Sequence, residues 1–208
     1  MARKVRVAAF TDLNQKKPRS VTDNLDWTCE ILDLLAYQKP DIVCLTENFD
    51  IGHTGLSGEK AAQDLYGETF TRMAERAKLH GYYIICAFVE QRGEGAFNTA
   101  VVIDRNGAPI GHYDKIHPTL WELESGIQSG ALNPSVITTD FGKIGCQICF
   151  DANWPRDWLA LKESGAEIIF FPSAFSAGRI LESIATVFHI PIVAACYPQC
   201  CRVIDRDG

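Results

Sequence analysis

Hydrophobic and polar positions along this chain switch between a period near two and a period near 3.6, and the switches mark an alternation of strands and helices. Residues 5–10 read as a first strand, and the polar residues 12–20 as a loop. Trp27, Ile31, Leu34 and Leu35 then recur at helical spacing until Lys39 and Pro40 stop the helix. Residues 41–46 are an almost unbroken apolar run, the pattern of a strand covered on both faces. After a glycine-rich loop at 52–58, residues 59–80 read as a second helix, with Phe70, Met73, Ala74 and Ala77 on one face and Gly81 as its stop. Residues 82–90 form a strand, and 98–104 and 110–113 a hairpin around Arg105, Asn106 and Gly107. Residues 119–134 show little regularity, and a loop of that length in a compact domain is usually functional or mobile. A second hairpin is expected over 136–141 and 143–150, a short helix over 155–164, a buried strand over 167–171, a helix over 180–189 and a strand over 192–197. Residues 197–205 read as a strand pair or a bent strand. The order predicts an α/β layered fold with mixed sheets, in one domain spanning 1–208, with no repeat and no low-complexity linker.

Composition narrows the function classes. A chain that is 47% hydrophobic and 22% charged has enough apolar material for a sizeable core. Its net charge of -6 and scattered Lys and Arg provide no basic stripe, so no nucleic-acid partner is expected. No apolar run approaches the roughly 20 residues of a membrane span, and the stretch after the polar start is too short for a signal peptide, so no membrane partner is expected and the location is read as cytoplasmic. Most of the eight cysteines, such as Cys44, Cys86 and Cys196, sit in apolar runs as small hydrophobes of a reducing compartment. Cys146 and Cys149 make a C-x-x-C, but strand alternation puts them on opposite faces, and Cys200 and Cys201 are adjacent rather than spaced for chelation. Neither a metal nor a cofactor is expected.

The chemistry centres on the stretch from Gly142 to Pro155. Alternation of Ile144, Cys146, Ile148 and Phe150 reads as a strand, and Pro155 opens a helix, which places Cys149 at a strand's carboxyl end before a tight turn. Ligands of α/β sheets bind beyond such ends, and backbone N–H groups there favour a thiolate. Glu47 and Lys115 also follow strands. Each alone has an ordinary structural reading: a solvated carboxylate, a surface cation, a core thiol. Together they supply a nucleophile, a base to activate it and a cation where an oxyanion forms. Of the histidines, His112 in a strand and His189 at a helix end read as core or capping residues. His117 is read as orienting the Lys115 loop, and Asp151 as holding the turn after Cys149 through backbone N–H groups.

These motifs resemble the nitrilase, or carbon-nitrogen hydrolase, superfamily. The matching residues are 41–47 with Gly52, then 98–103 with Gly107, Tyr113-Asp-Lys115-Ile-His117, Gly145-Cys-Gln-Ile-Cys149-Phe-Asp151 with Trp154-Pro155, and 165–174 ending in Pro-Ser-Ala. The resemblance implies a four-layer αββα sandwich and a Glu-Lys-Cys triad carried onto Glu47, Lys115 and Cys149. It implies a second glutamate soon after the lysine, where Glu122 fits the spacing better than Glu124, and an oxyanion donor in the backbone N–H of Phe150. Thr46 stands where the family often has Pro, Arg156 where a Glu is common, and Cys200-Cys201 where a Gly-Ser-like turn is expected. The implied activity is hydrolysis of a small linear amide through a Cys thioester with release of ammonia or amine. N-carbamoyl hydrolysis and nitrile hydrolysis are the nearest alternatives, and Phe150-Asp151 after the cysteine resembles the amidase and carbamoylase branches. A reading of another class is a non-catalytic binding or assembly subunit. The chain looks C-terminally short for the family, so an uncovered edge with apolar Val203 and Ile204 is expected, and with it a fragment of a longer protein, a homodimer or a higher homo-oligomer.

Overall fold

The computed structural model describes residues 4–11, 19–197 and 201–208. In chain order these form β1 (Val7–Ala9), α1 (Val21–Leu35), β2 (Ile42–Glu47), α2 (Glu68–His80), β3 (Tyr83–Arg92), β4 (Gly95–Ile103), β5 (Pro109–Asp114) and α3 (Leu120–Glu124). They continue with β6 (Ile127–Gln128), β7 (Ile137–Thr139), β8 (Gly142–Cys146), α4 (Pro155–Glu163), β9 (Ile168–Ser173), α5 (Ile180–Phe188), β10 (Ile192–Cys196) and β11 (Arg202–Ile204). Two mixed sheets result. The first runs β1-β2-β3-β4-β5 with β6 paired to β4, and the second β11-β10-β9-β8-β7. β1, β2 and β3 are parallel, as are β8, β9 and β10, and hairpin partners extend each sheet antiparallel.

Three apolar layers hold the sandwich together. Leu25, Leu32, Phe70 and Met73 of α1 and α2 cover Val43, Leu45, Ile84 and Phe88 on the outer face of the first sheet. Trp158, Leu161, Leu181 and Ile184 of α4 and α5 cover Ile169, Phe171 and Ala194 of the second. Between the sheets, Ile42, Cys44, Ile85 and Val102 meet Ile144, Cys146, Phe170 and Val193. Strands buried on both faces need continuous apolar sequence, which is how 41–46 and 167–171 read. The expected αββα architecture is therefore the one observed. No helix among the described residues is long and apolar enough to cross a membrane.

Several boundaries differ from the periodicity, each for a local reason. α1 begins at Val21 because Ser20 closes a capping box: its hydroxyl accepts from the Asp23 N–H at 3.0 Å while the Asp23 carboxylate accepts from the Ser20 N–H at 2.8 Å. The remainder of the loop expected at 12–20, residues 12–18, lies outside the described residues, as does Cys200. The helix expected over 59–80 is split: a single 3-10 turn at Gly58–Ala61 comes first, Gln63 bridges to Glu90, and α2 starts only at Glu68. The irregular 119–134 segment holds α3 and β6, because Thr119 and Glu122 form another capping box. β8 ends at Cys146, so Cys149 is not the end of a strand but the first residue of a 3-10 turn, Cys149–Asn153. His112 is exposed rather than buried in the core. β11 is an edge of the second sheet and Val203 is exposed there, whereas Ile204 is buried against the α5 side, so only one of the two apolar residues expected at that edge is uncovered.

Candidate active site

Glu47 reaches the site through a fault in the β2-β3 ladder. Ile42, Val43 and Cys44 pair with Tyr83, Ile84 and Ile85, but the next pair is Glu47 with Ala87, so β2 carries one extra residue between Cys44 and Glu47. Strict alternation would put Glu47 on the face of Val43 and Leu45, beneath the helices. The bulge turns it to the face of Ala87, between the sheets. Lys115 and Asn98 come from the same sheet. The Lys115 N–H donates to the Asn98 carbonyl at 2.9 Å, continuing the β4-β5 ladder just past β5. Each stands two residues from an inward-facing neighbour, Tyr113 and Ala100 respectively, so both side chains share the inner face.

The resulting polar cluster is buried and densely bonded. Lys115 Nζ donates to Glu47 Oε1 at 2.9 Å and to Glu122 Oε1 and Oε2 at 2.9 and 2.8 Å. Asn98 Nδ2 bridges the two carboxylates, at 2.7 Å from Glu47 Oε1 and 3.0 Å from Glu122 Oε1. Glu47 Oε2 accepts from the Ala174 N–H, just past β9, at 2.8 Å. Glu122 Oε2 also accepts from the backbone N–H and the hydroxyl of Thr119, at 2.8 and 2.9 Å. Burial alone would draw the Lys115 ammonium down, but the charges of Glu47 and Glu122 and the hydrogen bonds to Glu122 override it and hold Lys115 above the ordinary lysine range. Burial likewise works to raise Glu122, and Lys115 outweighs it, so that carboxyl sits below its usual range. Glu122 is thus the glutamate beside the lysine, while Glu124 is exposed.

Cys149 approaches from the second sheet. Its backbone has φ +50°, a left-handed conformation that costs a non-glycine residue roughly 1–3 kcal/mol and persists only where its surroundings enforce it. Asp151 enforces it: Oδ1 accepts from the His117 N–H at 2.8 Å, and Oδ2 from the Tyr113 hydroxyl at 2.8 Å and the Ile148 N–H at 3.1 Å. This carboxylate ties the Cys149 turn to β5 and to the loop after Lys115. Its own burial, only partly offset by those hydrogen bonds, pushes Asp151 up to about 6. The thiol shares one cavity with Glu47 and Ala174. Burial and the Glu47 carboxylate push the thiol well above the ordinary range, against the pull of Lys115.

His117 and Phe150 lie beside this cluster, at Trp154. His117 Nε2 lies 2.7 Å from Asp157 Oδ2, and its ring stacks on Trp154 at 3.8 Å between centroids, so it joins the Lys115 loop to the start of α4. Phe150 is partly exposed, with its ring edge-on to Trp154. Asn98, Thr119, Tyr113 and Ala174 were not anticipated as site residues. The spacing Thr119-x-x-Glu122 before Leu123 is a visible helix-start signal that would have fixed Glu122 in place. Asn98, a polar residue opening an apolar strand, carries a weaker one.

Glu47, Lys115, Glu122 and Cys149 open onto one cavity of about 260 Å³. Its far wall is mostly apolar, with Val89 and Ile127 buried, Leu56 and Trp121 exposed at the mouth, and the neutral polar Asn48 and Ser57 beside them. The loop carrying Asn48 and Ile51 is anchored from behind by Asp50, which accepts from Gln63 and Thr69 at 2.8 and 2.9 Å, and by Asn24, which donates to the Asp50 and Gly52 carbonyls. Burial raises Asp50 to about 6.

A family model described as carbon-nitrogen hydrolase matches residues 6–208. The chain is 32% identical over 185 residues to the β-ureidopropionase of Arabidopsis thaliana, which covers 84% of this chain and 43% of that protein. It is 32% identical over 179 residues to a deaminated glutathione amidase of Synechocystis sp., covering 76% of this chain and 63% of that one. The chain therefore spans less than two thirds of the length of these relatives, 43% of the first and 63% of the second. An amidase from Nesterenkonia sp. AN1, solved after Michael addition of acrylamide at its active-site cysteine, superposes with a TM-score of 0.83 at 17% identity, over 99% of this chain and 87% of the other. At that identity the likeness is one of fold.

Proposed function

We propose that this chain, which belongs to the carbon-nitrogen hydrolase family, hydrolyses a small linear amide through a thioester on Cys149, with Glu47 as proton carrier and Lys115 as oxyanion partner. The observation that carries this reading is the meeting of a buried ammonium, two carboxylates and a thiol from opposite sheets at one cavity.

The resting thiol is held neutral, so it loses its proton to Glu47 as sulfur attacks the carbonyl carbon, rather than waiting as a thiolate. The C=O π bond opens and its oxygen becomes anionic. Lys115 and the Phe150 N–H are the donors assigned to it. Lys115 has two contacts on Glu122, and one can turn to the oxyanion without stranding that carboxylate, because Glu122 keeps Asn98 on Oε1 and both Thr119 donors on Oε2. The tetrahedral adduct collapses, the C–N bond breaks, and Glu47 returns the proton to the departing amine. Water, deprotonated by Glu47, then attacks the thioester, releasing the carboxylic acid and regenerating the thiol. Asp151 and His117 act through the geometry of the Cys149 and Lys115 segments.

N-carbamoyl hydrolysis follows the same steps with a ureide carbon, and the similarity to β-ureidopropionase favours it as the second reading. Ammonia release from amides, ureides and nitriles separates the readings. Turnover of amides that disappears in Glu47→Gln, Lys115→Met and Cys149→Ala alike is the expected result. Turnover that survives Cys149→Ala would rule out the thioester route.

A further inference from the structure

The same cavity carries a statement about the acyl group, and it rests on the hydrolytic reading above. Lys115 is the only cation among the described residues lining the cavity. Its three N–H donors already meet three carboxylate oxygens, Glu47 Oε1 and both oxygens of Glu122. The cluster sets two carboxylates against one ammonium, so it has a surplus negative charge beside a neutral thiol. Beyond it, the wall carries Val89, Ile127, Ile51 and Leu56 with the neutral polar side chains of Asn48 and Ser57 among them, and Trp121 stands at the mouth. A cavity of about 260 Å³ lies under the ~300–1,000 Å³ of sites for drug-sized ligands.

From this we infer that the substrate carries a short, uncharged acyl chain, whose tail packs against Val89 and Ile127. A tail ending in a carboxylate would find no free cation among the described lining residues, only apolar side chains and the neutral Asn48 and Ser57, and would face a cluster of its own sign. An ammonium tail would suffer the same desolvation but gain from the surplus negative charge nearby. The order of preference is therefore neutral first, ammonium second, carboxylate last.

Three amides that differ only at the tail test this: butyramide, β-alaninamide and succinamate, ending in methyl, ammonium and carboxylate. The kcat/KM for butyramide should exceed that for succinamate by at least about 100-fold, with β-alaninamide between them. Calorimetric binding to Cys149→Ala should follow the same order. Leu56→Arg, at an exposed rim position, should narrow the succinamate deficit by tenfold or more and widen that of β-alaninamide. Succinamate used or bound within threefold of butyramide would overturn the inference, as would a Leu56→Arg protein whose tail preference is unchanged. If none of the three is hydrolysed but Cys149→Ala still binds butyramide in preference, the hydrolytic reading falls and the cavity assignment stands. If none binds, the cavity assignment falls.

Discussion

The two sheets contribute to the candidate site in different ways. The first supplies charge: Glu47, Asn98 and Lys115 stand on its inner face and α3 adds Glu122, with Asn98 and Lys115 each hydrogen-bonded to both glutamates. The second supplies backbone: a left-handed Cys149 at the head of a 3-10 turn and the Ala174 N–H beyond β9. In the first half, position is fixed by electrostatic partners that are costly to remove because they are buried. In the second, position is fixed by a strained turn that a single carboxylate, Asp151, clamps to the other sheet. Removing a group from the charged half should therefore damage fold and rate together, whereas loosening the backbone half should damage the rate more than the fold.

The largest effect should come from Lys115→Met. It leaves Glu47 and Glu122 buried without their cation, with an expected loss of about 3–5 kcal/mol of stability and of at least ~10³-fold in rate. Denaturant unfolding beside ammonia-release kinetics checks both. A stable, inactive protein would show that the charged cluster is not what holds that half. Glu47→Gln comes next, with a rate loss of about 10²–10⁴-fold, and combining it with Lys115→Met should fall well short of the product of the two losses, as groups acting on one step do.

Asp151→Asn probes the other half. The amide keeps an acceptor but cannot receive all three donors as the carboxylate does, so a cost of about 1–3 kcal/mol is expected, with kcat falling more than KM rises. If the two parameters move together with the loss of folded protein, Asp151 is a fold residue and not a positioning one.

How far the sequence reveals this division is itself instructive. Both-face-buried strands such as β2 and β9 and the helix stop at Gly81 are legible because their causes are local: continuous apolar runs and a positive φ of 69°. The inward turn of Glu47 is not, because the bulge before it breaks the alternation that a reader must assume. Nor is the φ of Cys149, since a residue in that conformation owes it to Asp151 meeting Tyr113 and His117, contacts that span 34 to 38 residues of chain. The single 59–80 helix fails for a similar reason: Gln63 bonds across to β3 and to Thr69, and those tertiary bonds interrupt a pattern that reads as one helix.

A smaller effect concerns the wall of the cavity. Burial lifts Asp50 to about 6, above the roughly 3.9 of an exposed aspartate. Between about pH 4 and pH 6 the folded chain thus keeps a proton that the unfolded chain has released. This group's contribution to stability falls as pH rises through that window and is level above it. Asp50→Asn should remove that part of the slope, measured as the pH dependence of thermal unfolding, and an unchanged slope would assign the titration elsewhere. The smallest effect is expected from Glu124→Gln. Its side chain is exposed two residues beyond Glu122, and the change should stay within about 0.5 kcal/mol, leaving the rate unaltered, whereas Glu122→Gln should not.

Charge from one sheet is proposed to act on a thiol presented by the other. The most direct test is peptide-mapped mass spectrometry of the protein acid-quenched during steady-state turnover of butyramide. The expected result is a butyryl adduct on the peptide bearing Cys149, with Cys44 and Cys146 unmodified. Butyryl on another cysteine, or ammonia release with every cysteine unmodified, would contradict it.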